Sequence, residues 1–148
     1  MLKPSRRDAT AADLAWLVDL RMQTMAGYIA ASGKDLSAAE QRARVTQDFE
    51  CISIITVDGE DVGMIKVVPS ETEHKLVQVQ VAPAYQGGGI GAQVVIQTID
   101  TARKAGLPLT LSVLKINPAK RLYDRLGFTM THENDWSYGM RIDPEALS

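Results

Sequence analysis

The chain has 148 residues, 45% of them hydrophobic, which suits one compact domain over residues 1–148 and excludes a disordered chain. Its 16 Lys and Arg against 18 Asp and Glu give a net charge of −2, so neither nucleic acid nor an anionic membrane is expected as a partner. A single cysteine, Cys51, excludes an internal disulfide framework and fits a reducing compartment. No apolar stretch approaches the roughly 18–20 residues that span a bilayer, and the sequence predicts a soluble, cytoplasmic protein.

The first half of the chain predicts a short edge strand, two helices and a hairpin. Two capping-box sequences, Thr10–Asp13 and Ser37–Glu40, stand where two helices are expected to begin. A stretch rich in Ile, Val and Thr then leads into Asp58-Gly59, which is a hairpin turn signal. The predicted elements are a strand at Leu2–Arg6, a helix at Ala11–Ala31 ended by Gly33, a second helix from the second box to Phe49, and strands at Cys51–Val57 and Val62–Val68.

The second half of the chain alternates strands with helices and ends on two strands. Asn117-Pro118 supplies an N-cap and an N1 proline, and Gly106 and Gly127 are helix stops. The predicted elements are a polar loop at Ser70–Lys75, strands at Leu76–Val81 and Leu109–Leu114, helices at Gly88–Ala105 and Pro118–Leu126, and strands at Phe128–Glu133 and Ser137–Ile142. The order β-α-α-β-β-β-α-β-α-β-β indicates an α/β (α+β) fold with a mixed sheet and helices on both faces.

A tight glycine-rich turn joins the strand that ends at Val81 to the next helix. Gly87, Gly88, Gly89 and Gly91 lack a Cβ, so a ligand can approach the main chain and the turn can take positive φ. The first N–H groups of the helix have no intrahelical partner, and the helix dipole favours negative charge there. The strand–turn–helix context therefore favours a phosphate or pyrophosphate site over a surface loop that merely starts a helix.

Two nucleotide-binding motifs are disfavoured at this turn. The stretch from Gly87 to Ala92 matches the G-x-G-x-x-A dinucleotide fingerprint in form. That fingerprint expects an acidic residue about 20 positions on, but the next strand ends Val113-Leu114-Lys115. Too little chain follows the turn for a doubly wound sheet, and no Gly-Lys-Ser/Thr closes a P-loop.

Two blocks of the sequence resemble the GNAT superfamily of N-acetyltransferases. Gln86-Gly-Gly-Gly-Ile-Gly91 is similar to that family's Q/R-x-x-G-x-G/A motif. The segment Asn117–Phe128 is similar to its N-x-A-x-x-L-Y-x-x-x-G-F pattern. The blocks have the order and spacing of the family, and the predicted element order agrees with its fold over nearly the whole chain. The resemblance implies the GNAT fold and acetyl-CoA as the acyl donor, without a metal.

The resemblance assigns the donor to the turn and to the strand before it. Main-chain N–H groups from Gly87 to Ala92 would hold the pyrophosphate, and the strand Val79–Val81 would pair with the pantetheine arm. The N–H of Val81 would bond the thioester carbonyl. Asn117 has two readings, a contact with the CoA arm and a plain helix N-cap. The residues assigned to acetyl-CoA are Val79, Val81, Gln86, Gly87, Gly88, Gly89, Ile90, Gly91, Ala92 and Asn117.

The resemblance also implies that Tyr123 is the general acid that protonates the departing CoA thiolate. The alternative is a core tyrosine on an amphipathic helix, because Leu122, Tyr123 and Leu126 recur at helical spacing. No base is identified, since Gln78, Gln80 and Ser112 occupy the central strands where the family often has a glutamate. A water chain held by Gln80 is one route for the proton.

The acceptor predicted from the resemblance is a primary amine of a small molecule or a peptide. In the implied fold the acceptor groove lies between the first two helices and the last hairpin. The residues assigned to it are Met25, Tyr28, Gln80, Trp136 and Tyr138. The sequence leaves open whether the chain forms a homodimer through its C-terminal strands. The alternative to an enzyme is a CoA-binding module without turnover.

Overall fold

A computed structural model describes residues 3–31, 33 and 37–144 of the chain. The strands are β1 Ser5–Asp8, β2 Ile52–Val57, β3 Glu60–Pro69, β4 His74–Val81, β5 Leu109–Leu114, β6 Thr129–Glu133 and β7 Ser137–Ile142. The helices are α1 Leu14–Ala31, α2 Ala38–Thr46, α3 Ile90–Lys104 and α4 Ala119–Leu126. Among these residues, every helix falls short of the length and apolar character that a bilayer crossing requires.

The strands lie in the order β1-β2-β3-β4-β5-β7-β6 in one mixed sheet. β4 pairs with β5 in parallel, from His74 opposite Leu109 to Leu76 opposite Leu111. The pairs β1–β2, β2–β3, β5–β7 and β6–β7 are antiparallel. A parallel pair needs a long crossover connection, and α3 supplies it between β4 and β5. The predicted element order and the mixed α/β class are confirmed.

Several element boundaries differ from the prediction. The second helix ends at Thr46 and not at Phe49, because Gln47 is extended and Asp48 takes a left-handed φ of 53°. The N-terminal strand predicted at Leu2–Arg6 is observed three residues later, as β1, and Leu2 lies outside the described residues. β3 and β4 are longer than predicted: β3 begins at Glu60, directly after the Asp58-Gly59 turn, and β4 takes in His74 and Lys75 of the predicted polar loop.

The described residues fall into two compact units, one within Met1–Lys66 and Gln78–Gly91, the other within Val67–Val77 and Ala92–Ser148. In the first unit, apolar side chains of α1, α2, β2 and β3 form a buried cluster. Its members are Leu17, Leu20, Val45, Ile52, Ile54 and Met64. The prediction of a single domain over residues 1–148 stays a prediction.

The second unit buries one face of β5 and β7. The buried residues on these strands are Leu109, Leu111, Val113, Met140 and Ile142. Ser112 alternates with them along β5 and is exposed, as the period of 2 in a strand requires. Tyr123 and Phe128, at α4 and just after it, are buried in the same unit.

Candidate active site

The glycine turn is held in shape by its own residues. The Gln86 amide donates from Nε2 to the carbonyl of Val81 over 2.9 Å, which ties the turn to the end of β4. Gly87 and Gly89 have φ of 84° and 82°, in the left-handed region where only glycine is unstrained. α3 therefore begins at Ile90, two residues after the predicted start at Gly88.

The space in front of the turn is open. A Cβ added at Gly87 or at Gly89 would meet no atom within 4 Å, so packing does not explain these glycines. Within the described part of the chain, the main-chain N–H groups of Gly87, Gly88 and Gly89 donate no hydrogen bond. The first N–H groups of α3 also lack intrahelical partners. Unpaired donors at a helix start, beside glycines with open space around them, are an arrangement that suits an anion such as a pyrophosphate.

β4 brings the predicted donor strand directly before this turn. Val79 and Val81 are half-buried, whereas Gln78 and Gln80 are 8% and 6% exposed. A Cβ on Gly63 of β3 would collide with the carbonyl of Gln80. Glycine at position 63 therefore allows the close approach of β3 to the end of β4, and sequence reasoning did not single it out.

A second feature that sequence reasoning missed is the buried ammonium of Lys66. Its Nζ donates to the carbonyls of Arg44 and Val45, at 2.9 and 3.1 Å, and to that of Gln47. These carbonyls lie at the C-terminal end of α2, where intrahelical donors run out and a cation is favoured. Burial lowers the pKa of Lys66. A lysine inside the apolar stretch from Val62 to Val68 was the available signal.

Gln78 contacts the same helix end. Its Nε2 donates to the carbonyl of Arg44 over 3.2 Å, so two residues of β3 and β4 hold the last turn of α2. Its Oε1 is buried and has no partner among the described residues. Buried amide oxygens are usually satisfied, and an ordered water is the common partner when the protein supplies none.

Tyr123 lies in the second unit and is 6% exposed. Its ring packs edge-on against Phe128 with centroids 5.6 Å apart. Burial alone raises the pKa of the hydroxyl to about 12, so it is protonated at neutral pH. These contacts fit a core tyrosine, and the protonated hydroxyl fits a general acid.

Asn117 caps α4 through its side chain. Its Oδ1 accepts from the N–H of Ala119 over 2.9 Å, and its carbonyl accepts from the N–H of Lys120. This satisfies a donor that the helix start would otherwise leave unpaired. The side-chain hydrogen bond that a cap makes is therefore present, although α4 has Pro118 at its N-cap position, and the contact of Asn117 with the CoA arm stays a prediction.

The residues predicted for the acceptor are divided between the two units. In the first, Met25 and Tyr28 are half-buried on α1, and Gln80 is on β4. In the second, Trp136 is 54% exposed, and Tyr138 is half-buried. The ammonium groups of Lys115 and Lys120 stand 5.3 and 5.2 Å from the Tyr138 ring centroid.

In the part of the chain that the structure describes, no carboxylate stands out as a base. Glu133 pairs with Lys115 at 2.7 Å, which engages one acidic residue near the C-terminus in an ion pair. Among residues 3–31, 33 and 37–144, no three His, Cys, Asp or Glu side chains converge as metal ligands. The expectation that the reaction needs no metal stays a prediction.

One mixed sheet and, at the start of α3, a glycine turn with unpaired N–H groups make up the fold and the candidate site. The model of the acetyltransferase (GNAT) domain family matches residues 48–130, which is more than half of the chain. The chain therefore belongs to the GNAT family and is an N-acetyltransferase that uses acetyl-CoA.

Solved structures that share this fold include three acetyltransferases. The PaiA N-acetyltransferase of Thermoplasma acidophilum, in complex with coenzyme A, has a TM-score of 0.74 at 14% identity and covers 95% of this chain and 99% of its own. A ribosomal-protein-alanine N-acetyltransferase of Escherichia coli has a TM-score of 0.74 at 19% identity, with 99% and 97% covered. An acetyltransferase of Thermus thermophilus has a TM-score of 0.73 at 21% identity, with 96% and 97% covered.

Proposed function

We propose that this chain transfers the acetyl group of acetyl-CoA to a primary amine by direct attack in a ternary complex. The observation that carries the proposal is the turn at Gly87 and Gly89, with left-handed glycines, unpaired N–H groups and open space. The similar structure of PaiA, which was solved with coenzyme A, supports the same choice of donor.

The donor is proposed to bind along β4 and the turn. Main-chain N–H groups from Gly87 to Ala92 bind the pyrophosphate, with Gln86 keeping the turn closed on Val81. The pantetheine arm pairs with the backbone of Val79–Val81, where Pro83 stops the strand by lacking a donor. The Val81 N–H polarises the thioester carbonyl and stabilises the tetrahedral oxyanion.

Tyr123 is proposed to protonate the leaving thiolate. Attack by a neutral amine gives a tetrahedral intermediate, and its collapse breaks the C–S bond and releases the CoA thiolate. Burial raises the pKa of the Tyr123 hydroxyl to about 12, so the hydroxyl keeps its proton and can donate it throughout the physiological pH range.

The amine must lose a proton before it attacks, because an alkylammonium has a pKa of about 10.4 by analogy with lysine. β4 and β5 offer Gln78, Gln80 and Ser112 in place of a carboxylate. We assign the proton route to water held by Gln80 and the carbonyls of β4. The unpartnered Oε1 of Gln78 is a further acceptor for such a water.

The acceptor class is proposed as an amine of a small molecule or of a peptide, bound near Met25, Tyr28, Gln80, Trp136 and Tyr138. The Escherichia coli structure of the same fold is of an enzyme that acts on an alanine of a ribosomal protein, which supports a peptide amine as the acceptor. A cytoplasmic location and a homodimer through the C-terminal strands are kept as parts of the proposal.

The test is release of thiol from acetyl-CoA with a panel of amines and short peptides, run on the wild type and two glycine variants. Gly89→Ala places a side chain at a φ of 82° in the turn. Gly106→Ala places one at a φ of 72° after α3, with the same backbone strain and the same open space, but away from the turn. We expect the first variant alone to lose affinity for coenzyme A. Binding without turnover for any amine would make the chain a CoA-binding module. Equal affinity in both variants would remove the turn from the donor site.

A further inference from the structure

A cavity of about 330 Å³ lies in the second unit, and polar residues of the sheet line it together with the apolar residues Leu111 and Met140. Its lining includes Lys75, Thr110, Ser112, His132 and Arg141. None of these residues belongs to the set assigned above to acetyl-CoA or to its acceptor. The cavity is therefore a feature that the acetyl transfer does not explain.

The strand register brings cations and hydroxyls together in this cavity. Thr110 of β5 pairs with Lys75 of β4 on one side and with Arg141 of β7 on the other. Residues paired across strands share a face, and neighbouring strands lie about 4.8 Å apart. Lys75 and Arg141 therefore flank the Thr110 hydroxyl. In the next part of β5, Ser112 occupies the same face.

A β-bulge in β6 lies at the cavity. Thr131 and His132 both line the cavity, as consecutive residues of β5 and β7 also do. The register of β6 against β7 shifts between Met130 and His132, which is where such a bulge redirects side chains. The Thr131 Oγ1 and the His132 Nδ1 are 3.0 Å apart, so the two form a hydrogen bond within the cavity lining.

A glycine on β7 makes room for the imidazole. Gly139 pairs with His132 on one side and with Ser112 on the other. A Cβ at Gly139 would overlap the ring atoms Cε1, Nδ1 and Nε2 of His132. Only a residue without a side chain therefore lets the imidazole lie flat across β7, between the bulge and Ser112.

The charges in the cavity favour an anion. Lys75 has no ion-pair partner among residues 3–31, 33 and 37–144. Arg141 pairs with Asp143 through Nε at 2.6 Å, and its two terminal nitrogens form no ion pair with any residue that the structure describes, so they stay available to a ligand. Glu73 is the one carboxylate in the lining, against Lys75 and Arg141, and Asp143, which pairs with Arg141, lies outside the lining. Ammonium, guanidinium and hydroxyl groups together are donors that suit the oxygens of a phosphate or a carboxylate.

We propose that this cavity binds a small molecule that carries a phosphate or carboxylate group. Lys75 and Arg141 pair with the anionic oxygens, and the hydroxyls of Thr110 and Ser112 donate to them. The imidazole of His132, fixed by Thr131 and by the space over Gly139, forms the wall toward β6.

The experiment is an NMR titration of the ¹⁵N-labelled protein with inorganic phosphate, and with acetate in a second arm, each in the presence of excess coenzyme A. On the proposed function, coenzyme A occupies the glycine turn, so the added inorganic phosphate or acetate reports on the cavity. We expect saturable shifts at the amides of Thr110, Ser112 and Gly139, and Arg141→Gln should weaken binding about tenfold, because one charge-assisted pair is lost. Lys104→Gln, a cation at the exposed end of α3, is the matched control and should leave the affinity unchanged. The anion that binds more tightly, phosphate or acetate, identifies the anionic group of the ligand.

The proposal fails if neither anion shifts these amides, or if Arg141→Gln binds as the wild type does. It fails equally if the shifts fall only at Gly87, Gly88 and Gly89, which would place the anion at the turn. If Arg141→Gln does not give a folded spectrum, Lys75→Gln on the exposed start of β4 replaces it. If coenzyme A did not bind, its shifts would be missing at the amides of the glycine turn. The shifts at the cavity amides would still report whether the anion binds there.

Discussion

Replacing Tyr123 by phenylalanine separates its catalytic role from its packing role. The substitution removes the hydroxyl and keeps the ring, which packs against Phe128 at 5.6 Å between centroids. If the hydroxyl donates a proton to the thiolate, kcat should fall by ~10²-fold, the low end for general acid catalysis. That factor corresponds to about 2.7 kcal/mol of transition-state stabilisation.

The structure also sets the magnitude of an effect on stability. Burial raises the pKa of Tyr123 from 10.0 to about 12, so the folded state favours the neutral hydroxyl. Below pH 10 the hydroxyl is protonated in both states. From about pH 10 to about pH 12 the unfolded chain loses the proton first, and the wild type loses about 3 kcal/mol that Tyr123→Phe keeps, at 1.36 kcal/mol per pKa unit.

The assays are steady-state kinetics at saturating acetyl-CoA and urea unfolding across alkaline pH. Tyr85→Phe is the matched control, because it removes a hydroxyl that donates to Glu60 over 2.7 Å at the surface of the first unit. It should leave kcat within about twofold. An unchanged kcat in Tyr123→Phe, with the difference in alkaline stability still present, would show a buried core tyrosine and refute the catalytic role. If wild type and Tyr123→Phe lost the same stability between about pH 10 and about pH 12, the raised pKa of the buried hydroxyl would be refuted.

Three further predictions concern the turn, α2 and α4. Gly89→Ala should lower stability by about 1 kcal/mol through its left-handed φ and raise the KM for acetyl-CoA, with Gly106→Ala showing only the first effect in the same kinetic and thermal assays. Lys66→Met should lower the free energy of unfolding in urea by about 2 kcal/mol, because buried carbonyls at the end of α2 lose their donor, whereas exposed Lys3→Met should change it little. Asn117→Ala should cost about 1 kcal/mol and Asn117→Asp should restore it; a KM for acetyl-CoA that rises in both would favour the cofactor contact over the cap.

The sequence predicted the glycine turn because its signals are local. A left-handed φ needs glycine wherever it occurs, and a helix start leaves its N–H groups unpaired in any fold. The same holds for the Asp58-Gly59 hairpin, where both residues take positive φ, and for the Asn117 cap. The end of α2 was missed because Asp48, which takes a left-handed φ, is not a residue that marks a helix stop as clearly as glycine does.

What the amino-acid sequence determined by itself is the order of the elements, the mixed α/β class, the family and the glycine turn before α3. Tertiary structure alone decided which side chains meet across strands. Lys66 became a helix cap only because β3 carries it under the end of α2, and His132 covers Gly139 only because a bulge sets the register of β6 on β7. Such contacts join residues far apart along the chain, and a shift of one position in pairing would turn each of these side chains to the other face of the sheet.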